Sequence, residues 1–287
     1  MEKHQLLEKL YSRIDQLPTL PAVLPKLLKL TEDPNSSAAD ITNTISLDPA
    51  LTAKVLTVAN SAYYGFSKTI ASLDRAIPLL GLNTVKTLAL AVGVVRSLPA
   101  TGEAVSFPRE RLWIHALSVA TAMDKLGHLT SFDTNYLFTL GLLHDLGIIA
   151  LDQFFHDHFV QALALAAQDP EMSLPQAETQ VIGFDHGQVG SFLLGRWKFP
   201  EVVVLPIQGH HMTNPPDKTS YVDLYLLRVA DAIAHDIEWA AYEGPPHYPE
   251  LAEHMRYLDL SQDQYQETAD FVSSKREEIT SFFQAMS

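Results

Sequence analysis

The chain contains no cysteine. Disulfides, cysteine-type zinc sites, iron–sulfur clusters and thiol nucleophiles are thereby excluded. Basic residues are scarce as well. Twenty Lys and Arg stand against 34 Asp and Glu, a formal net charge of −14 with histidines neutral. A nucleic-acid binder needs a dense basic face, so no nucleic acid is expected as a partner. A small phosphate-bearing ligand is not excluded, because a local positive centre such as a metal suffices for it. Long apolar runs are also lacking. The most apolar stretch, residues 84–98, is interrupted by Lys86 and Arg96 and falls short of the roughly 20 residues that span a bilayer. Met1-Glu2-Lys3-His4-Gln5 carries charge and no apolar segment, so no secretory signal and no membrane association are expected, and the default location is cytoplasmic. With 47% hydrophobic and only 19% charged residues, the 287-residue chain can bury a sizeable core in one large domain or two smaller ones.

Apolar residues recur at helical spacing along nearly the whole chain. Leu6, Leu7, Leu10, Ile14 and Leu17 do so, and after Pro18 and Pro21 so do Val23, Leu24, Leu27, Leu28 and Leu30. Ser37 fits the N-cap of a helix through Ile45. Asp48-Pro49 fits a cap followed by proline at the first helical position, for a helix to Ala59. Asp74 is expected to open a helix over 75–80 closed by Gly81, and Asn83 to cap one over 84–98. Pro99-Ala100-Thr101-Gly102 breaks the pattern. Helices are then expected over 109–126, 135–151, 155–169, 174–182, 187–197, 202–211 and 221–242, with a last helical stretch over 263–286. No strand run bounded by hairpin turns is present. The class is all-α, divided into an N-terminal helical part (1–98), a second helical part (99–243) and a C-terminal helical extension (244–287).

Inside these apolar helices several polar residues stand where core residues belong. They are His115, the pair His144-Asp145, Asp185-His186, His210-His211 and Asp231. Burying such a group without a partner costs several kcal/mol. Any one of them alone reads as a core residue bonded to backbone. Together, and all histidine or aspartate, they are better satisfied by a shared metal centre, since imidazole and carboxylate suit Fe, Mn, Ni or Zn. An aspartate can bridge two cations about 3.5–4 Å apart, the arrangement used for phosphoryl hydrolysis. That divides the ligands into His115, His144, Asp145 and Asp231 on one ion, and Asp145, His186, His210 and His211 on the other.

The order His…His-Asp…His…His-His…Asp on helices resembles the HD superfamily of metal-dependent phosphohydrolases. A second set of motifs agrees: Leu47-Asp48-Pro49-Ala50-Leu51, Val58-Ala59-Asn60-Ser61-Ala62-Tyr63-Tyr64-Gly65 and Ala76-Ile77-Pro78-Leu79-Leu80-Gly81. With Gly183-Phe184-Asp185-His186-Gly187 and Trp197-Lys198-Phe199-Pro200, the chain resembles the HDOD family over residues 17–235. The resemblance implies a multi-helix HD-type bundle with an N-terminal helical subdomain, and a bacterial signalling or regulatory role. HDOD domains frequently lack the full ligand set, which this chain keeps. It departs from the related HD-GYP pattern: Met212-Thr213-Asn214 follows His210-His211, and Arg111 stands four residues before His115. Cyclic-di-GMP hydrolysis is therefore not implied.

Two functions follow as expectations. One is a phosphohydrolase or phosphodiesterase with two divalent ions, Fe first and Mn, Ni or Zn next, in which His144 and Asp145 are the catalytic pair. The other is a non-catalytic signalling module that binds a partner protein in trans, or a small phosphorylated or nucleotide ligand, its metal structural or sensory. Lys125, Lys198 and Arg228 are candidates for substrate charge. Asn60-Ser61 and Tyr63-Tyr64 are expected to serve structure, Lys86 and Arg96 to be solvated or to snorkel from an otherwise apolar helix, and His156 and His158 to lie in a polar loop. His128, His235, His247 and His254 have no motif behind them.

Overall fold

A computed structural model describes residues 21–33, 35–98, 108–132, 136–242, 248 and 250–286. The expected helix at residues 6–17 and the breaks at 99–102 and 244–247 lie outside them. Among the described residues every regular element is an α-helix, as the periodicity requires. The N-terminal helices are α1 (Val23–Glu32), α2 (Ala38–Ser46), α3 (Pro49–Ala59), α4 (Leu73–Leu80) and α5 (Leu82–Ser97). Ser37 caps α2 in a capping box with Asp40, and the Asp48 carboxylate accepts the Leu51 N–H at 2.9 Å with Pro49 opening α3. Two expected caps shift. Ser72 rather than Asp74 precedes α4, and Gly81, at φ +90°, separates α4 from α5 so that Asn83 falls inside the first turn.

Two polar residues pin this half together. The Asn60 side chain donates to the Ile70 carbonyl at 2.9 Å and accepts the Ile70 N–H at 2.7 Å, tying the end of α3 to the chain entering α4. Asn60→Ala should cost about 1–2 kcal/mol, read as a lower urea midpoint at unchanged m-value. Lys86 corrects an expectation. It is buried, and its Nζ donates to the Leu30 carbonyl at 3.3 Å and Ser36 Oγ at 3.0 Å, closing the end of α1.

The second part comprises α6 (Arg109–Leu129), α7 (Leu137–Leu143), α8 (Leu146–Phe154), α9 (His156–Gln168), α10 (Leu174–Val181), α11 (His186–Arg196), α12 (Glu201–Gly209) and α13 (Tyr221–Asp236). Here the expected helix over 135–151 breaks in two. His144 and Asp145 form the turn between α7 and α8, with Asp145 at φ −96° and ψ 12°. His210-His211 likewise follow α12 instead of ending it, and His156 opens α9 rather than lying in a loop. The C-terminal stretch divides into α14 (Leu251–Tyr257), α15 (Gln262–Ser274) and α16 (Arg276–Met286).

The helix α6 is the axis of this part, packed against α7, α13, α15 and α16, and α16 also reaches back to α3. There Phe282 meets the Tyr63 ring at 5.1 Å, so Tyr63 and Tyr64 are packing residues as expected. One hydrophobic core runs from Val23 to Met286. The stretch Leu137–Phe154 is apolar and long enough to cross a membrane by length and composition, but 83% of it is buried in the protein. It is the buried helical stretch, interrupted at His144-Asp145, that carries those two residues.

Candidate metal centre

Four segments converge on Asp145. The turn between α7 and α8 supplies His144 and Asp145 itself, α6 supplies His115, the first residue of α11 is His186, and the turn after α12 supplies His210 and His211. Asp145 Oδ1 lies 3.2 Å from His144 Nε2, 3.2 Å from His186 Nε2 and 3.8 Å from His210 Nε2. Its other oxygen, Oδ2, lies 3.4 Å from His115 Nε2, which in turn is 3.0 Å from Asp231 Oδ1 on α13. His211 Nε2 stands 2.9 Å from His186 Nε2. All seven residues expected at the site are thus together, and all are at most 8% exposed. Asp185, adjacent in sequence, serves structure instead: its carboxylate caps α11 through the Gln188 N–H at 2.8 Å.

The imidazoles are held from behind. His115 Nδ1 bonds the Trp239 carbonyl at 2.8 Å, His144 Nδ1 that of Gly141 at 2.7 Å, and His210 Nδ1 that of Ile207 at 2.6 Å. A carbonyl only accepts, so each Nδ1 carries the proton and each Nε2 presents a lone pair to the centre. His186 is held by Glu178 on α10, whose Oε2 accepts both its backbone N–H and its Nδ1–H, each at 2.8 Å. His144 Nε2, His210 Nε2 and Asp231 Oδ1 are buried and have no hydrogen-bond partner. Buried acceptors left this way are costly unless something electropositive sits among them. Two donors bonded to one ion at about 2.1 Å are roughly 3 Å apart when at right angles, close to the 3.0–3.4 Å spacings here. The donor set therefore fits a divalent metal. Two compact groups stand out around Asp145, one with His186, His210 and His211, the other with His115 and His144.

Without a cation at the centre, the carboxylates compete for protons on these rings. Against the effect of burial, Asp145 raises His144, and Glu178 with Asp145 raises His186 well above its ordinary value, so a metal must displace protons there. In spite of burial, His144, His186 and His210 hold the Asp145 carboxyl well below the usual range, so it is an anion. Burial pushes the His210 imidazole down, which keeps its lone pair free. Burial, and then Asp231, raise the Tyr248 phenol well above its ordinary value. It remains a donor, hydrogen-bonded to Asp231 Oδ2, with its ring stacked 5.8 Å from His211.

Three residues of this surround escape a motif reading. Glu178 stands four residues after Leu174 and three before Val181, on the apolar face that Ala177 shares, and that placement was the legible signal. Tyr248 follows Pro245-Pro246-His247, where no periodicity marks it. Arg228 is not free for substrate. Its guanidinium donates to the carbonyls of Gly209 at 3.0 Å, His210 at 2.9 Å and Met212, bracing the turn that bears His210-His211. Its fourth contact, 3.1 Å to His254 Nε2, makes that imidazole an acceptor, and burial with the Arg228 charge pushes His254 down to about 4. Lys125 pairs with Glu267 at 2.7 Å, while Lys198 is exposed on the surface. Removing the charge behind His186 should weaken metal uptake. Glu178→Gln is expected to lower affinity by about 10–100-fold, as chelator competition would measure.

A family model for the HDOD domain matches residues 17–213. An uncharacterized protein of Treponema pallidum (strain Nichols) is 29% identical over 213 residues, 72% of this chain. The match takes in only 40% of that relative's length. Among solved structures, an HDOD domain protein of unknown function from Geobacter sulfurreducens superposes with a TM-score of 0.81 at 24% identity, over 99% of this chain and 97% of its own. A candidate phosphohydrolase from Shewanella amazonensis SB2B gives 0.77 at 23% identity, over 97% and 98%. A candidate signal transduction protein from Marinobacter aquaeolei VT8 gives 0.81 at 21% identity, over 99% and 66%. These structures share the fold.

Proposed function

The chain belongs to the HDOD family, and from that premise we propose that it is a metal-dependent phosphohydrolase serving bacterial signal transduction. Its two divalent transition ions are held by His115, His144, Asp145, His186, His210, His211 and Asp231. The observation that carries the reading is the set of inward-facing Nε2 lone pairs around Asp145, two of them buried without any hydrogen bond. The phosphohydrolase and signalling descriptions of the Shewanella and Marinobacter proteins, which share the fold, are in keeping with it. When bound, the ions supply positive charge to phosphate oxygens and lower the pKa of a coordinated water toward about 7. The chain's own residues do the rest. Asp145 presents one oxygen to His144 and His186 and the other to His115, so its charge serves both donor groups. Gly141, Ile207, Trp239 and Glu178 fix the tautomers. Tyr248 holds Asp231 with a phenol that keeps its proton. The location is cytoplasmic, and the partner is a signalling protein or a nucleotide.

One feature favours a second reading. Tyr248 is seated on Asp231 and His211, and every donor is buried, so a phosphate reaching Asp231 has to displace the phenol. A buried ion would then be structural or sensory in a non-catalytic module. Elemental analysis of the protein as isolated, followed by assays on phosphomonoesters, phosphodiesters and nucleotides, separates the two. Bound metal with metal-dependent hydrolysis is the expected result. Metal without turnover favours the module, and no metal after reconstitution with Fe2+ or Mn2+ overturns both.

A further inference from the structure

We propose that His235 is a metal ligand, which joins His115 and Asp231 at one end of the centre. The inference rests on the metal reading above and extends its donor set. His235 follows Asp231 by one turn on α13, so the two share a helix face. Its Nε2 lies 3.8 Å from Asp231 Oδ1, the oxygen that His115 Nε2 approaches to 3.0 Å. All three donor atoms lie within 4.8 Å of one another.

The spacing is what argues for an ion. At 3.8 Å the His235–Asp231 contact is too long for a hydrogen bond, and a bridging water needs about 4.5 Å. Donors on one ion at about 2.1 Å are separated by roughly 3 Å at right angles and about 4 Å when opposed. Tyr248 takes Asp231 Oδ2, which leaves Oδ1 buried and without a hydrogen bond. The His235 ring is fixed edge-on between His115 and Tyr242, each at 5.6 Å, with its side chain only 6% exposed. Since His115 Nδ1 is tied to the Trp239 carbonyl, its single free lone pair serves one ion. With His144 and Asp145, which share His115, that ion then has three imidazoles and two carboxylates, a set that suits a borderline transition ion better than Mg2+ or Ca2+.

The test is His235→Gln, which keeps volume and removes the imidazole. Protein stripped by chelator would be titrated with Zn2+ against a competing chelator, with bound metal counted by elemental analysis. One binding step should weaken by at least about tenfold, the other staying unchanged, while the metal-free variant melts within about 2 °C of wild type. In Co2+-loaded wild type, a paramagnetically shifted imidazole N–H resonance should vanish in the variant. Affinities within about twofold of wild type, with no resonance lost, overturn the assignment of His235 and leave the rest of the centre standing. Wild-type protein that takes up no divalent ion overturns the metal reading itself, and this inference with it.

Discussion

Asp145→Asn should bind at most one divalent ion, and that one at least about 100-fold more weakly than wild type. The reason is that a single carboxylate faces both donor groups, Oδ1 toward His144, His186 and His210 and Oδ2 toward His115. Asparagine removes the negative charge and replaces one acceptor oxygen by a donor N–H that will turn toward a vacant Nε2. A hundredfold is about 2.7 kcal/mol, well within the worth of a charge among buried ligands. Ligand linkage gives a second reading of the same effect. An ion at 100 times its dissociation constant stabilises the fold by about 2.7 kcal/mol, so metal should raise the wild-type melting temperature and leave that of Asp145→Asn nearly unchanged. Hydrolysis of a phosphoester should fall by at least about 1000-fold in the variant. Retention of two ions would show that Asp145 does not link the groups, and the division of ligands about it would be wrong.

The clustering was legible because burial disfavours lone polar residues. His115, His144, Asp145, His186, His210, His211 and Asp231 broke apolar helical patterns, and one shared location, for which a metal is the proposed occupant, accounts for them together. The fold class was legible for the same reason, since apolar spacing of three and four leaves no room for strands. What stayed hidden was whatever depends on three-dimensional approach. The pattern over 135–151 is continuous, so the turn at His144-Asp145 had no local signal; it arises because both side chains must face one point. Lys86 looked solvated or snorkelling because its partners, Leu30 and Ser36, lie 50 or more residues away. Glu178 falls in the polar run Gln176-Ala177-Glu178-Thr179-Gln180, where only its helix face marks it, and Tyr248 carried no pattern at all.

The largest effect on the fold should come from Gly147→Ala, at a residue with no side chain to offer a metal. Gly147 lies two residues after Asp145, where α8 crosses α11 at backbone contact. A Cβ there would fall 1.8 Å from the His186 carbonyl oxygen and 2.7 Å from the Gly190 nitrogen. Both obstacles are backbone, so no rotamer change relieves them, and the two helices must separate. Overpacking of this kind costs about 1–3 kcal/mol and occasionally more; with backbone on both sides, at least about 3 kcal/mol is expected. The separation would also move His186 away from Asp145, now 3.2 Å apart, so whatever protein folds should bind metal more weakly. Gly195→Ala on the same α11 is the control. Its Cβ would meet nothing within 4 Å, and helix propensity alone should make it neutral or stabilising by up to about 1 kcal/mol. Urea unfolding of the two metal-free variants beside wild type decides the matter. Equal stabilities would mean that the close crossing of α8 and α11 does not set the distance between Asp145 and His186.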